Sequence, residues 1–200
     1  MSSEDQPRPD QAKLSDPKAL RALSHPVRLA LLEVLLLDGP LTATEAGERI
    51  GESPTTCSFH LRQLAKYGFV EEAGGGRGRQ RPWRRTHLGW TVEQSLDQDF
   101  ALARQGLSRV LMQRYWERLG RWIDTFSTHP REWQEASQAS EYGVYATAQE
   151  LAAFTEEVHA VAERHFERFK DRYDDPSKRP EGARPVEALV FAYPTEFGHG

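Results

Sequence analysis

Five arginines lie close together next to a glycine-rich segment, and their chemistry points to phosphate binding. The segment is Gly74-Gly75-Gly76-Arg77-Gly78-Arg79, and the set comprises Arg77, Arg79, Arg81, Arg84 and Arg85. Glycines supply no side chains for a core, so we expect an exposed hairpin tip here. Guanidinium groups bind phosphate oxygens, so the hairpin predicts contact with a nucleic-acid backbone. An arginine-rich loop that only keeps the protein soluble is the alternative.

A helix with one polar face is predicted just before the hairpin. Ser53 followed by Pro54 is typical of a helix start, and the pattern runs to about Tyr67. The side chains at three-four spacing are expected to face the core: Cys57, Leu61, Leu64 and Ala65. Hydroxyl and cationic groups suit base edges and phosphates. The residues predicted to face DNA are Pro54, Thr55, Thr56, Ser58, Phe59, His60, Arg62 and Lys66.

Two of these residues have more than one interpretation. Phe59 is a large apolar side chain on the face predicted to meet solvent. It could contact a thymine methyl group, or it could fold back onto the hairpin or the long helix that follows. His60 borders the polar and apolar faces and could instead form a structural hydrogen bond.

A second short helix precedes the polar one. Thr42 and Glu45 form a capping box that opens it, and it ends near Ile50. The residues between the two helices are Gly51, Glu52 and Ser53. Two short helices at this separation, followed by strands at Phe69–Ala73 and Gln80–Thr86, predict a helix-turn-helix with a β-wing.

The distribution of charge supports this interpretation more than the total does. The chain has a formal net charge of −4. Residues 53–90 nevertheless carry seven Lys and Arg against two Asp and Glu, whereas residues 91–200 carry thirteen against nineteen. The positive charge is thus concentrated on the predicted second helix and hairpin, where double-stranded DNA would lie.

The ordered set of motifs resembles the ArsR-type winged helix-turn-helix regulators over roughly residues 14–90. The runs that carry it are Ala22-Leu23-Ser24-His25-Pro26-Val27-Arg28-Leu29, Gly39-Pro40-Leu41-Thr42-Ala43, Ser53-Pro54-Thr55-Thr56-Cys57-Ser58-Phe59-His60-Leu61-Arg62-Gln63-Leu64 and Gly68-Phe69-Val70-Glu71. The resemblance implies a homodimeric repressor that binds palindromic operators and responds to a ligand. It places Thr55, Ser58 and Phe59 at base-reading positions and Arg77 and Arg79 in the wing. Ala46-Gly47 departs from the Leu-Ala usual in the family, and Trp83 replaces a common tyrosine.

The expected architecture is mainly α with a small β-wing, in four segments. They are a disordered tail over residues 1–13, a winged helix-turn-helix domain over 14–90, a long dimerisation helix within 91–130 and a C-terminal α+β region over 131–200. The long helix is predicted from about Val92 to Phe126. In the last segment, strands at Val144–Ala146 and Val186–Tyr193 flank a helix that Thr147 opens.

Aromatic residues are dense in the second half of the chain. Packing in a core and a dimer interface is one interpretation. The other is a pocket for a small apolar effector between the long helix and the C-terminal region. That pocket would be lined by Trp116, Trp122, Trp133 and Tyr145.

Metal-sensing and enzymatic functions find no support in the residue patterns. Residues 41–52 contain no Cys or His, and the long helix has no His before His129. Cys57 is expected to be a small buried residue rather than a redox switch. No phosphate-binding loop or nucleophile elbow is present, so we expect no metal, no cofactor and no enzymatic activity.

Membrane insertion is also not expected. The longest apolar run, Leu29–Leu37, is interrupted by Glu33 and is too short to span a bilayer. One cysteine and no signal-peptide pattern favour a reducing cytoplasm. A winged-helix module that binds proteins rather than DNA is the rival hypothesis, and the choice between repression and activation is open.

Overall fold

The computed structural model describes residues 11–74, 81–87, 89–93, 95–169, 171–174 and 176–195. Helices predominate there: α1 (Pro17–Leu23), α2 (Pro26–Asp38), α3 (Ala43–Ile50), α4 (Pro54–Lys66), α5 (Gln98–Thr125), α6 (Arg131–Ala136), α7 (Ala148–Phe166) and α8 (Asp171–Asp174). The strands are β1 (Gln11–Leu14), β2 (Val70–Glu72), β3 (Trp83–Arg85) and β4 (Gly89–Val92). The chain divides into two compact units, Met1–Pro130 and Arg131–Gly200.

The helices begin where the sequence supplies N-caps. The Asp16 carboxylate accepts a hydrogen bond from the backbone N–H of Lys18, and the Ser53 hydroxyl accepts one from Thr56. Capping boxes at Thr42 and Thr147 open α3 and α7, as the sequence predicts. Because these side chains satisfy backbone donors that have no partner within the helix, the helix starts are defined locally.

The core of the first unit is built from leucines of several helices. α1 packs against α5, and α3 packs against α4. The largest fully buried side chains are Leu20, Leu23, Leu31, Leu32, Leu61, Leu64, Leu107 and Cys57. Burial of this apolar surface provides the main driving force for folding the first unit.

A cluster of charged side chains forms ion pairs between α5 and α2. Arg114 donates to both carboxylate oxygens of Glu33, with Nε 3.0 Å from Oε1, and its Nη1 donates to the carbonyl of Pro26. Arg118 donates to the same carboxylate. The side chain of Glu33 is 35% exposed, so solvent screens part of this attraction.

We expect Glu33→Gln to lower the free energy of unfolding by about 1 kcal/mol, since an amide keeps the shape but loses the charge that holds two guanidinium groups. Urea unfolding measures the change, and high salt should reduce it. The control is Glu117→Gln, which alters an exposed helix face where Glu117 bonds Gln113. Equal effects of the two substitutions would contradict a special role for Glu33.

The wing is a two-stranded antiparallel sheet. β2 pairs with β3, so that Val70 is opposite Arg85 and Glu72 is opposite Trp83. Leu41 extends the pairing, because its N–H and carbonyl bond the backbone of Trp83 at 3.0 and 2.7 Å. Both strands form within the predicted ranges and are shorter, and residues 75–80 lie outside the described residues.

A short parallel sheet corrects two sequence predictions. β1 pairs with β4, so Gln11–Lys13 belong to a strand and not to a disordered tail; residues 1–10 lie outside the described residues. Val92 is paired with Leu14, so it does not begin the long helix. α5 begins instead at Gln98, where the Asp97 carboxylate accepts from the N–H of Phe100 at 2.8 Å.

The second unit differs from the predicted α+β region. The segments Val144–Ala146 and Val186–Tyr193 have no regular secondary structure, so the predicted strands do not form. A strand needs a partner for its backbone groups, and the described residues of this unit contain none. Among the residues of this unit whose burial is described, none is buried; Phe154, for example, is 51% exposed.

Among the described residues, no helix combines the length and the apolar character that a bilayer span requires.

Candidate nucleic-acid interface

The turn between α3 and α4 brings the two helices close together. Gly51 adopts the left-handed conformation with φ 75°, and the N–H of Glu52 bonds the carbonyl of Gly47 at 3.0 Å. A Cβ atom on Gly47 would lie 2.5 Å from the carbonyl oxygen of Glu52. The turn therefore requires glycine at 47, which gives a packing reason for the Ala46-Gly47 departure from the family pattern.

The helix α4 has the two faces that the spacing predicts. Cys57, Leu61 and Leu64 are fully buried, and Ala65 is partly buried against the same core. On the opposite side, the exposed residues are Pro54, Thr55, Phe59, Arg62 and Lys66, with Thr56 and Ser58 half-buried. The first unit thus holds α4 by one face and presents the other to solvent.

Phe59 projects from this exposed face. Its side chain is 53% exposed, and its ring meets the ring of His60 edge-on at 5.2 Å. If Phe59 folded back onto the wing or onto α5, its ring would be buried. The 53% exposure of the side chain excludes that arrangement. An apolar ring held in solvent beside cationic and hydroxyl groups is able to contact a thymine methyl group.

His60 was assigned to the DNA-facing set from the sequence, and its burial corrects that assignment. It is 7% exposed and lies on the core side of α4. Its ring contacts that of His25, with 4.4 Å between the centroids and a tilt of 41° between the ring planes. The helical spacing of Cys57, His60, Leu61 and Leu64 is the signal that places His60 on the core side.

His25 was not recognised in the sequence as a functional residue. Its Nδ1 accepts a hydrogen bond from the N–H of Val27 at 3.2 Å, so His25 caps α2. His25 lies directly before Pro26, the first residue of α2, and this position in the sequence indicates a helix cap.

Burial changes the protonation of the groups around this contact. Desolvation lowers the pKa of both His25 and His60, and the charge of Arg28 lowers them further. The carboxylate of Glu52 opposes part of that shift. Burial also raises the pKa of the Cys57 thiol, which favours the neutral packing residue expected from the sequence.

Two of the described wing arginines bond glutamates of the neighbouring strand. Arg81 bonds Glu72 at 3.1 Å, and Nε of Arg84 bonds Glu71 at 2.7 Å. Exposed ion pairs of this kind contribute little free energy, so phosphates could replace the carboxylates at low cost. The other predicted wing residues, Arg77 and Arg79, lie outside the described residues.

The aromatic residues of the predicted effector pocket are divided between the two units. Trp122 stacks on His129 with 4.3 Å between the ring centroids, and Trp116 is 62% exposed. In the second unit, Arg184 lies 5.4 Å from the ring centroid of Trp133, and Tyr145 is fully exposed. These contacts are local to each unit, and the pocket stays a prediction.

Within the described ranges, no three His, Cys, Asp or Glu side chains converge on a position that could hold an ion.

A family model described as a helix-turn-helix domain matches residues 23–73, which span α2, α3, α4 and β2. Residues 23–73 form a helix-turn-helix domain. The match supports a DNA-binding regulator of transcription and covers about a quarter of the chain, so it does not decide among subfamilies. No curated protein matches the sequence.

Three solved structures show distant likeness. Reduced HlyU from Vibrio cholerae N16961 is 23% identical, covering 44% of this chain and 80% of that one, with a TM-score of 0.30. The PcaV regulator from Streptomyces coelicolor with its natural ligand is 15% identical, covering 78% and 79%, with a TM-score of 0.30. Lactococcus lactis ZitR in complex with DNA is 15% identical, covering 69% and 74%, with a TM-score of 0.28. Scores this low add nothing to the helix-turn-helix assignment.

Proposed function

We propose that this chain is a sequence-specific DNA-binding regulator in which α4 is the recognition helix and the β2–β3 hairpin is the wing. The exposed face of α4 carries the proposal. It presents Phe59 to solvent between the hydroxyl of Thr55 and the guanidinium of Arg62, while the opposite face is buried in the core. Such a helix has the side chains for reading base edges in the major groove.

Phosphate contacts supply the rest of the proposed interface. Lys66 at the end of α4 and Arg81 beside the wing are both exposed. Together with Arg77 and Arg79 of the hairpin tip, they would fix the register of the protein on the duplex without reading its sequence.

A homodimer is part of the proposal, and α5 supports it. Phe100, Ala103 and Leu107 in its first half are buried, whereas Trp116 and Ile123 in its second half are each 62% exposed. An apolar helix face of this kind can be covered by the same face of a second copy. A two-fold dimer would bind palindromic operators with half-sites one helical turn apart.

The last part of the proposal concerns regulation. The protein represses transcription in the cytoplasm, where the operators are, and a small apolar effector relieves the repression. Apolar surface for such an effector is supplied by Trp116 and Trp122 in the first unit and by Trp133 and Tyr145 in the second; the rings of Trp116 and Tyr145 are exposed, and those of Trp122 and Trp133 are half-buried. Titration of candidate aromatic and aliphatic ligands, followed by tryptophan fluorescence and operator affinity, tests this part. A broad panel that changes neither signal would remove the effector from the proposal.

Selection of binding sites from a random DNA pool by the full chain tests the main proposal. We expect enrichment of a palindromic sequence, with an affinity for it at least a thousandfold above that for random DNA. Sedimentation with and without the enriched DNA measures the dimer. Binding no stronger than background at low salt would overturn the proposal. The exposed face of α4 would then be assigned to binding a protein partner.

Lys66→Ala separates phosphate binding from sequence reading. We expect it to weaken binding to selected and random DNA by the same factor and to reduce the slope of log affinity against log salt by about 1. Fluorescence anisotropy at several salt concentrations measures both effects. Lys18→Ala, which removes an exposed lysine of α1, is the control and should leave the slope unchanged. A loss confined to the selected sequence would contradict a phosphate contact.

A further inference from the structure

The contact between the rings of His25 and His60, called the histidine pair below, lies at the point where the recognition helix contacts the start of α2. The ring centroids are 4.4 Å apart with the ring planes tilted by 41°, and His60 is 7% exposed. Nδ1 of His60 is buried and has no hydrogen-bond partner among the described residues. Phe59 directly precedes His60 in the chain and lies on the exposed face of α4, and its ring contacts the ring of His60. The histidine pair therefore connects the core to the residue proposed to read bases.

The fixed charges around the histidine pair come from two parts of the domain. α2 contributes Arg28, whose Nη1 donates to the carbonyl of Ala22 in α1 at 2.6 Å. The turn before α4 contributes Glu52. The nearest fixed charges are thus one cation and one anion, and the two histidines are the groups that can add charge near neutral pH.

We infer that the His25–His60 pair is a positioning device that holds α4 for DNA binding while both rings are neutral, so that acidification releases DNA. The inference rests on the proposed function and concerns the regulation of that same surface. It requires no ligand besides the proton.

Protonation acts on the histidine pair in two ways. A proton on His60 turns Nδ1 into a buried N–H donor that lacks an acceptor, and places a positive charge near Arg28 and the facing ring. A proton on Nδ1 of His25 removes the acceptor that caps α2 at the N–H of Val27. Both changes disfavour the arrangement in which α4 packs on the start of α2.

The direction of the pH effect follows from burial. The pKa of each histidine is lowered from the ordinary value of 6.5, so the unfolded chain binds more protons than the folded domain below that pH. Stability is therefore complete above pH 6.5 and falls as the pH drops through that value toward the lowered pKa. Release of DNA follows the lowered pKa of the folded domain rather than 6.5, because the free folded protein and the DNA-bound protein both stay neutral until the pH reaches that lowered pKa.

The experiment measures affinity of the full chain for its selected operator at pH 7.5, 6.5, 5.5 and 4.5, at constant ionic strength. We expect the affinity to fall once the pH drops below the lowered histidine pKa, by up to about tenfold per pH unit for each proton excluded from the bound state. Simple protonation of surface histidines would instead strengthen binding to a polyanion, so the sign of the effect is diagnostic.

Two variants and one control identify the responsible groups. His60→Phe keeps a ring in the buried site without a titrating nitrogen, and His25→Asn keeps a capping acceptor without an ionisable ring. Each should bind operator at pH 7.5 and show a flatter decline. His159→Gln removes an exposed histidine of α7 and should retain the wild-type profile.

The outcomes distinguish this inference from the proposed function. A flat wild-type profile, or an unchanged decline in both His60→Phe and His25→Asn, would overturn the inference while operator binding at pH 7.5 keeps the proposed function. No operator binding at pH 7.5 would overturn the proposed function itself. Thermal unfolding at pH 7.5 shows whether each variant is folded, and if His60→Phe is not, the profile of His25→Asn decides.

Discussion

We expect one substitution, glycine to alanine, to change stability in opposite directions at positions 47 and 106. In Gly47→Ala the new Cβ would lie 2.5 Å from the backbone oxygen of Glu52 and 3.5 Å from Sγ of Cys57. Backbone cannot rotate away as a side-chain tip can, so the turn between α3 and α4 must shift. We expect a loss of about 2 kcal/mol in the free energy of unfolding, the usual scale for overpacking.

Gly106→Ala is the matched control on α5. A Cβ there meets nothing within 4 Å, and the residue lies inside a helix. Removing glycine from a helix interior should therefore raise the free energy of unfolding by about 1 kcal/mol. Chemical unfolding followed by circular dichroism compares both variants with wild type. Changes of the same sign at both positions would contradict the close approach seen at Gly47.

Features defined by neighbouring residues could be predicted from the sequence. The caps at Thr42, Ser53 and Thr147 act within one helical turn, so their side chains identify the helix starts without the rest of the fold. The buried face of α4 follows from the helical repeat of Cys57, Leu61 and Leu64 in the same way.

Features that depend on distant partners could not be predicted. β1 and β4 are short, and their pairing joins residues far apart in the chain, which no local pattern records. The apolar run Val186–Tyr193 has strand propensity, yet propensity without a partner strand does not make a sheet. His60 combines both cases, since its spacing indicates burial while its contact with His25 depends on how α2 meets α4.

Leu61→Ala and Phe59→Ala should separate folding from recognition on a single helix. Leu61 is fully buried, so its truncation removes apolar contacts and leaves a cavity; we expect a loss of about 2–5 kcal/mol in the free energy of unfolding. Phe59 is 53% exposed, and its truncation should change that free energy by no more than about 0.5 kcal/mol.

For specific recognition of DNA, by contrast, we expect Phe59→Ala to have the more selective effect. Phe59→Ala should lower affinity for the selected operator by about tenfold and leave affinity for random DNA unchanged, because a base contact is lost and phosphate contacts are kept. Leu61→Ala, measured where it is still folded, should affect both DNAs alike, since the helix shifts as a whole. Anisotropy with the two DNAs and urea unfolding of both variants give the comparison. If Phe59→Ala destabilises the fold as Leu61→Ala does, Phe59 is a packing residue, and the base-reading role passes to Thr55 and Arg62.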